Sequence, residues 1–217
     1  MKPTDRRLAV VAGIAALALL VGGIGIYFVQ QSRSTAGEYA FTGGSWDPPH
    51  PATDLALTDQ NGQPFSLADH RGKVILLYFG YTYCPDYCPT TLADFQQVKQ
   101  DLGERANEVE VVFVSIDPAR DTPARLKEYL TFFDPAFIGL TGTDEQLTPI
   151  LRDYYVTATK GDATPSPSGT PFYLVSHSTS LYAIDQAGNL RLTWKYGTSP
   201  ADITADVTHL LDTPPAS

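Results

Sequence analysis

Two cysteines, Cys84 and Cys88, are the side chains of this sequence best suited to redox or metal chemistry, and the sequence contains no others. Each is followed by a proline, Pro85 and Pro89, and a residue before proline is displaced from the helical region. We therefore place the pair in a loop and at the start of a helix. Cys88 is expected near the N-cap, where free backbone N–H groups and the helix dipole favour a thiolate.

Two sulfurs held at a fixed separation suit a soft metal ion, above all Cu(I), and they also suit reversible disulfide chemistry. A permanent structural disulfide is a third option, but it would close a loop too short to constrain the unfolded chain much. The three residues between the cysteines, rather than two, favour a metal site over a reductase of the thioredoxin type. The cysteine pattern leaves both chemistries open.

The four histidines differ in their surroundings in the sequence. His50, His70 and His209 read as surface or internally satisfied side chains. His177 follows a predicted strand and a long loop over residues 157–171, and loops of this length inside a compact domain are usually functional or mobile. The pattern alone leaves a ligand role for His177 undecided.

The elements around the cysteines form an early strand–helix–strand unit. The apolar run Val74–Phe79 predicts a strand buried on both faces. A helix is predicted from Pro89 to about Leu102, where Gly103 ends it. Val109–Ile116 predicts a second buried strand.

Further elements flank this unit on both sides. Asn61-Gly62 predicts a hairpin between Leu55–Leu57 and Phe65–Leu67. Start signals predict three helices, at Thr122-Pro123, at the capping box Thr143–Gln146 and at Ser199–Asp202. The later strands are predicted at Tyr173–Val175, Leu181–Ile184 and Leu190–Tyr196.

This order of elements predicts a mixed α/β fold over residues 54–212, followed by a flexible tail over residues 213–217. The expected architecture is a thioredoxin-like central sheet flanked by helices, with an N-terminal β-hairpin extension and a late antiparallel hairpin.

The N-terminal region predicts one transmembrane helix over residues 8–29, because this run is uncharged and long enough to cross a bilayer. Arg6 and Arg7 precede it, so the N-terminus should stay in the cytoplasm and the domain should be exported. We expect residues 1–33 to be an anchor and the Gly- and Pro-containing residues 34–53 a linker. A signal peptide cleaved near Ala36 is the alternative, and it places the domain on the same side.

The charge balance counts against nucleic-acid binding. The chain has 24 acidic and 15 basic residues, a formal net charge of −9. Since an acidic protein is poorly suited to neutralising phosphates, we expect no nucleic-acid partner.

Several blocks resemble the Sco family, also written SenC, copper-handling proteins involved in cytochrome c oxidase assembly. The blocks are residues 80–92 (GYTYCPDYCPTTL), 114–123 (VSIDPARDTP), 137–143 (FIGLTGT) and the segment around His177. Together they span residues 54 to about 212. Asp117-Pro118 and Arg120-Asp121 match the second block, and we assign them no ligand role, because a strand end and a turn into a capped helix explain them.

The resemblance implies a thioredoxin-like domain that binds copper through Cys84, Cys88 and His177. Family members commonly have Asp before this histidine, whereas this chain has Ser176, a change that could alter copper affinity or redox preference. The implied function is a metallochaperone that carries Cu(I) or Cu(II) to the CuA site of a cytochrome c oxidase subunit.

A thiol–disulfide reductase that keeps the CuA cysteines reduced is the alternative function, with Cys84 and Cys88 as its redox pair. The implied partners are the CuA subunit and an upstream copper donor or thiol reductant. We expect a single-pass protein with its domain on the extracytoplasmic side of a bacterial cell membrane, rather than a protein of the mitochondrial inner membrane.

Overall fold

The structure is a computed structural model that describes residues 39–165 and 172–213. The chain divides into two units, Met1–Ala40 and Phe41–Ser217, and the elements below belong to the second. The predicted transmembrane helix over residues 8–29 lies outside the described residues. Within the described residues, no helix has the length and apolar character needed to cross a membrane.

The strands are β1 Gly44–Pro51, β2 Leu57–Asp59, β3 Pro64–Phe65, β4 Val74–Gly80, β5 Val109–Ser115, β6 Ile138–Thr141, β7 Ala158–Lys160, β8 Val175–His177, β9 Leu181–Ile184 and β10 Asn189–Trp194. The main sheet is mixed and has the strand order β1-β10-β9-β4-β5-β6-β2-β3, while β7 and β8 form a separate two-stranded sheet. The helices are α1 Tyr87–Leu102, α2 Pro123–Leu130, α3 Asp144–Asp153 and α4 Pro200–Asp212, with short 3₁₀ turns at Leu67–His70 and Gly103–Glu108.

The centre of the sheet positions the cysteines. Every residue of β4 is buried, because the strand lies between two neighbours and has core on both faces. It pairs in parallel with β5 and antiparallel with β9, and β5 pairs in parallel with β6. The thioredoxin-like α/β fold, the early hairpin of β2 and β3, and the late antiparallel pair of β9 and β10 are confirmed.

The three helix starts predicted from the sequence are present. The side chains of Thr122, Thr143 and Ser199 each accept a hydrogen bond from a backbone N–H of the first helical turn. At Thr143 the bond is reciprocal, since the Gln146 side chain accepts from the Thr143 N–H and completes a capping box. These helix starts could be predicted from the sequence because each cap joins residues that are three positions apart.

Part of the predicted linker is a strand. Residues 44–51 form β1, which pairs antiparallel with β10 at the edge of the sheet. The prediction of a spacer was wrong there, because an edge strand tolerates prolines and its mostly exposed residues give no alternating pattern. The N–H groups of Thr42 and Gly43 donate to the buried Asp206 carboxylate at 3.0–3.1 Å, which fixes the approach to β1.

The segment that carries His177 also differs from the prediction. The strand expected at Tyr173–Val175 is β8, Val175–His177, and it pairs with β7 rather than with the main sheet. β7 lies inside the predicted loop over residues 157–171, whose end, residues 166–171, lies outside the described residues. His177 is therefore the last residue of a hairpin strand.

The extent of the domain is testable with two fragments. Fragment 54–217 lacks β1 and leaves the Asp206 carboxylate without the N–H groups of Thr42 and Gly43, which fragment 41–217 retains. We expect the free energy of unfolding of the shorter fragment to be lower by about 3 kcal/mol, as for the loss of several buried hydrogen bonds. Urea denaturation of both fragments measures the difference, and equal stability would contradict the assignment of β1 to the domain.

Candidate metal centre

The cysteines lie where the central strand gives way to the first helix. β4 ends at Gly80, and α1 begins at Tyr87. Cys84 lies in the loop between them, where its N–H donates to the carbonyl of Tyr81 at 3.2 Å. Cys88 is the second residue of α1 and is fully buried, while Cys84 remains 9 % exposed. Neither cysteine is part of a disulfide.

The two sulfurs are linked by hydrogen bonds that place the negative charge on Cys84. The Cys88 backbone N–H donates to the Cys84 sulfur at 3.4 Å. The hydrogen bond from the Cys88 thiol, opposed by burial, lowers the pKa of Cys84 to about 4. The same bond to Cys84, together with burial, raises the pKa of Cys88 far above its ordinary range.

The expectation that Cys88 would be the thiolate was therefore wrong. Cys88 lies inside the first turn of α1, so its backbone N–H points at the sulfur of Cys84 in the loop before the helix. The free N–H groups at a helix start stabilise a negative charge that lies in front of them, which is the position of Cys84. At neutral pH the reduced pair holds one proton and one negative charge.

His177 faces the cysteines from β8. Its Nδ1 lies 2.7 Å from the carbonyl oxygen of Ser178, and because a carbonyl only accepts, Nδ1 carries a proton. In the neutral ring this leaves the lone pair of Nε2 free, and Nε2 lies 3.8 Å from the Cys88 sulfur. The rings of Tyr78 and Tyr81 approach the imidazole edge-on at 6.2 and 5.9 Å between centroids.

The structure brings the three predicted site residues together. The sulfurs of Cys84 and Cys88 and a ring nitrogen of His177 all lie within 4.8 Å of one another. Two sulfurs and one imidazole nitrogen form a donor set that suits copper, and carboxylates, which would suit harder ions, are not part of this group. The residues present therefore fit a copper ion.

The site opens on one side into a cavity of about 540 Å³. Cys84 and His177 line this cavity, together with Asp86, Tyr87 and Leu174, whereas Cys88 does not. An incoming ligand in the cavity therefore meets Cys84 and His177 before it meets Cys88.

The other three histidines lie elsewhere. His50 packs against Trp46, His209 lies edge-on to Phe41, and His70 stacks on Phe65 and contacts the Glu110 carboxylate through Nδ1. All three have partners outside the cysteine site. Ser176 is exposed beside the cavity, and the contact that orients the His177 ring at Nδ1 comes from the backbone carbonyl of Ser178.

Asp121 is a site residue that the sequence reasoning missed. Its buried carboxylate accepts hydrogen bonds from the Thr82 N–H at 3.0 Å, the Thr82 hydroxyl at 2.7 Å and the Ser115 hydroxyl at 2.6 Å. Since Thr82 is two residues before Cys84, these bonds fix the start of the cysteine loop. In the sequence, Asp121 reads as a turn residue before the Thr122 cap. Its place in the block of residues 114–123 that resembles the Sco family was the one feature that could have indicated a role in the site.

Fold and site together define a thioredoxin-like domain with a Cys-x-x-x-Cys pair and a distal histidine. The model of the SCO1/SenC family matches residues 47–212 of the chain. The chain belongs to the SCO1/SenC family.

Relatives and solved structures agree with this assignment. A SCO2-like protein of Rickettsia felis is 38% identical over 153 residues, which are 69% of this chain and 72% of that protein. The structure of Bradyrhizobium japonicum ScoI with copper bound is 35% identical, with a TM-score of 0.65 over 75% of this chain and 100% of that one. The apo Sco1 structure from Thermus thermophilus is 32% identical, with a TM-score of 0.70 over 81% of this chain and 100% of that one.

The charge on the cysteine pair can be titrated. In the reduced protein we expect the ultraviolet absorbance of one thiolate to disappear with a midpoint near pH 4 as the pH is lowered, because Cys84 loses its charge only there. Cys88→Ala removes the thiol donor and should raise this midpoint. A wild-type midpoint in the ordinary range of a free thiol would contradict the hydrogen-bonded pair.

Gly80 is a second test of the site's packing. A Cβ at this position would lie 2.8 Å from both the Cys88 sulfur and a ring carbon of Phe113. We expect Gly80→Ala to lower the free energy of unfolding by about 2 kcal/mol, as overpacking of a core does, and to weaken metal binding by moving the Cys88 sulfur. Gly44→Ala is the control, since its Cβ would have only an ordinary contact at 3.7 Å. Equal metal affinity in both variants would show that Cys88 is not held by this packing.

Proposed function

We propose that the protein is a copper metallochaperone that holds copper between Cys84, Cys88 and His177 and transfers it to a partner protein. The convergence of these three donors within 4.8 Å is the observation that supports the proposal most directly. Membership of the SCO1/SenC family supports it as well, since a related ScoI structure has copper bound.

Binding of Cu(I) exchanges one proton for the ion. The reduced site starts with the Cys84 thiolate and the protonated Cys88 thiol, as the opposite pKa shifts of the two indicate. When Cu(I) enters, the Cys88 proton leaves, and the two sulfurs and the Nε2 lone pair become the ligands. The single negative charge already on Cys84 attracts the cation, so only one further proton must be displaced.

Release of copper is proposed to start from the cavity side. Thiolates of an acceptor can reach copper beside Cys84 and His177, because these two residues line the cavity. Cys88 is buried and is therefore the last ligand to be replaced. Stepwise replacement avoids a free ion at any stage. Since imidazole is also a good ligand for Cu(II), the site is suited to both oxidation states.

The proposed acceptor is the CuA site of a cytochrome c oxidase subunit, and an upstream copper donor or thiol reductant is the proposed source of the loaded or reduced state. The resemblance to the Sco family is what supports these partners.

We also propose that the domain lies on the extracytoplasmic side of a bacterial membrane, anchored by a helix over residues 8–29. The uncharged run behind Arg6 and Arg7 supports the anchor. A tether to the membrane restricts the search for a membrane-bound acceptor to two dimensions.

Copper affinity tests the proposal. The soluble fragment from residue 36, reduced and loaded with Cu(I) against a competing chelator, should bind one equivalent. Cys84→Ser and Cys88→Ser should each weaken binding by about 100-fold or more, since a hydroxyl is a poor ligand for a soft ion, and His177→Ala should weaken it by about tenfold or more. His50→Ala, a histidine outside the site, should bind as the wild type does.

Two outcomes would contradict this function. Full affinity in His177→Ala would remove the histidine from the site. Absence of copper binding, with reduction of a disulfide in an oxidase CuA domain by the Cys84–Cys88 pair, would replace the chaperone with the thiol–disulfide reductase.

A further inference from the structure

The position of His177 depends on how its hairpin is held. β7 and β8 pair only with each other among the described strands, so no sheet hydrogen bond ties β8 to the β4–α1 unit that carries the cysteines. One polar tie comes from the Tyr81 hydroxyl, which accepts from the Val175 N–H at 3.2 Å. The distance from the imidazole to the sulfurs is therefore set by side-chain contacts.

Arg120 makes a second and more extensive connection between the hairpin and the loop that carries Cys84. It lies in the turn after β5, is only 8 % exposed, and donates from Nη1 to the carbonyl oxygen of Tyr173 at 3.0 Å. Its guanidinium also covers the ring of Tyr173 at 3.5 Å and the ring of Tyr83 at 4.6 Å. One side chain thus contacts both the segment that precedes β8 and the loop that leads to Cys84.

Asp117 is the third residue that connects the hairpin to the rest of the domain. This carboxylate is fully buried, accepts from the Arg120 Nε, and accepts from the Tyr173 hydroxyl at 2.6 Å. The Lys160 ammonium group, on the other strand of the hairpin, lies 3.8 Å from the same carboxylate. Asp117 therefore contacts the end of β7 and the segment that leads into β8.

Stability alone is a weak reason to keep this group of residues. A buried ion pair costs desolvation that its mutual attraction often only offsets, and apolar residues of the same volume would serve as well. The pair also leaves Arg120 Nη2 buried without a hydrogen-bond partner, which adds to the cost. What the pair supplies is geometry, because a planar guanidinium held by a carboxylate can stack and donate in one fixed direction.

We propose that Asp117, Arg120 and Tyr173 form a clamp of positioning residues that holds the His177 hairpin over the cysteine pair and so sets the strength of the third copper ligand. This inference rests on the proposed copper function. None of the three residues is a ligand, and the clamp acts on copper through His177. A loosened clamp leaves both sulfurs in place and weakens only the contribution of the imidazole.

The test uses two variants that keep the buried charges paired. Tyr173→Phe removes one hydroxyl at the half-buried edge of the clamp, and Arg120→Lys keeps the charge while losing the stacking and the fixed direction of donation. We expect Cu(I) affinity to fall by about tenfold in each, the range seen when an outer hydrogen-bond partner of a ligand is removed. The loss should not exceed that of His177→Ala. Tyr155→Phe, at a 71 % exposed tyrosine outside the site, is the matched control and should bind as the wild type does.

Coupling to His177 separates positioning from a general loss of structure. In a His177→Ala background we expect Tyr173→Phe and Arg120→Lys to cause no further loss of affinity, because the group through which they act is gone. The Cu(II) absorption spectrum of each single variant should shift toward that of His177→Ala, while that of Tyr155→Phe stays as in the wild type.

Two results would overturn the clamp. Equal losses with and without the His177 side chain would mean that the three residues act on the fold or the cysteines, and unchanged affinity and spectrum in both variants would mean that the hairpin is held without them. Either result leaves the proposed function intact if the wild type binds copper and His177→Ala weakens it. Failure of the wild type to bind copper would instead overturn the function itself.

Discussion

The hydrogen bonds from the start of α1 to the sulfur of Cys84 are the interaction on which the site depends. They fix one sulfur in front of the helix, stabilise its negative charge, and force the second sulfur, on Cys88, to remain protonated and buried. The fully buried strand β4 and the hydrogen bonds of Asp121 to Thr82 hold the loop that makes this contact possible. A site with one charge is attractive to a cation and avoids the repulsion of two adjacent thiolates.

The two cysteines consequently have different parts in the proposed chemistry. Cys84 carries the charge and lines the cavity, while Cys88 lies behind it against the core, within 3.7 Å of the Tyr78 hydroxyl. His177 comes from a hairpin outside the main sheet, so it is the proposed ligand whose distance can change with the least disturbance of the core. A carrier needs this combination, since one ligand must stay fixed while others are exchanged.

The sequence predicted those parts of the molecule that depend on near neighbours. Buried strands, helix caps and the cysteine pair follow from short patterns, and the Thr143 capping box is an example in which both partners are within three residues. β1 was missed because an exposed edge strand with prolines carries no periodic signal. The thiolate was expected at Cys88 because the predicted helix start, Pro89, lies two residues after the observed one, Tyr87, and the helix start decides which sulfur faces the free N–H groups.

Long-range contacts were beyond sequence patterns altogether. Asp121 and Thr82 are 39 positions apart, Asp117 and Tyr173 are 56 apart, and nothing local marks either pair as a partner. For the same reason, the sequence pattern left the ligand role of His177 undecided, and only the family resemblance favoured it. The most direct measurement of the central claim is X-ray absorption spectroscopy of the Cu(I)-loaded protein. The account predicts a first shell of two sulfurs and one imidazole nitrogen, whereas a shell of sulfur alone, or one dominated by nitrogen and oxygen, would contradict it.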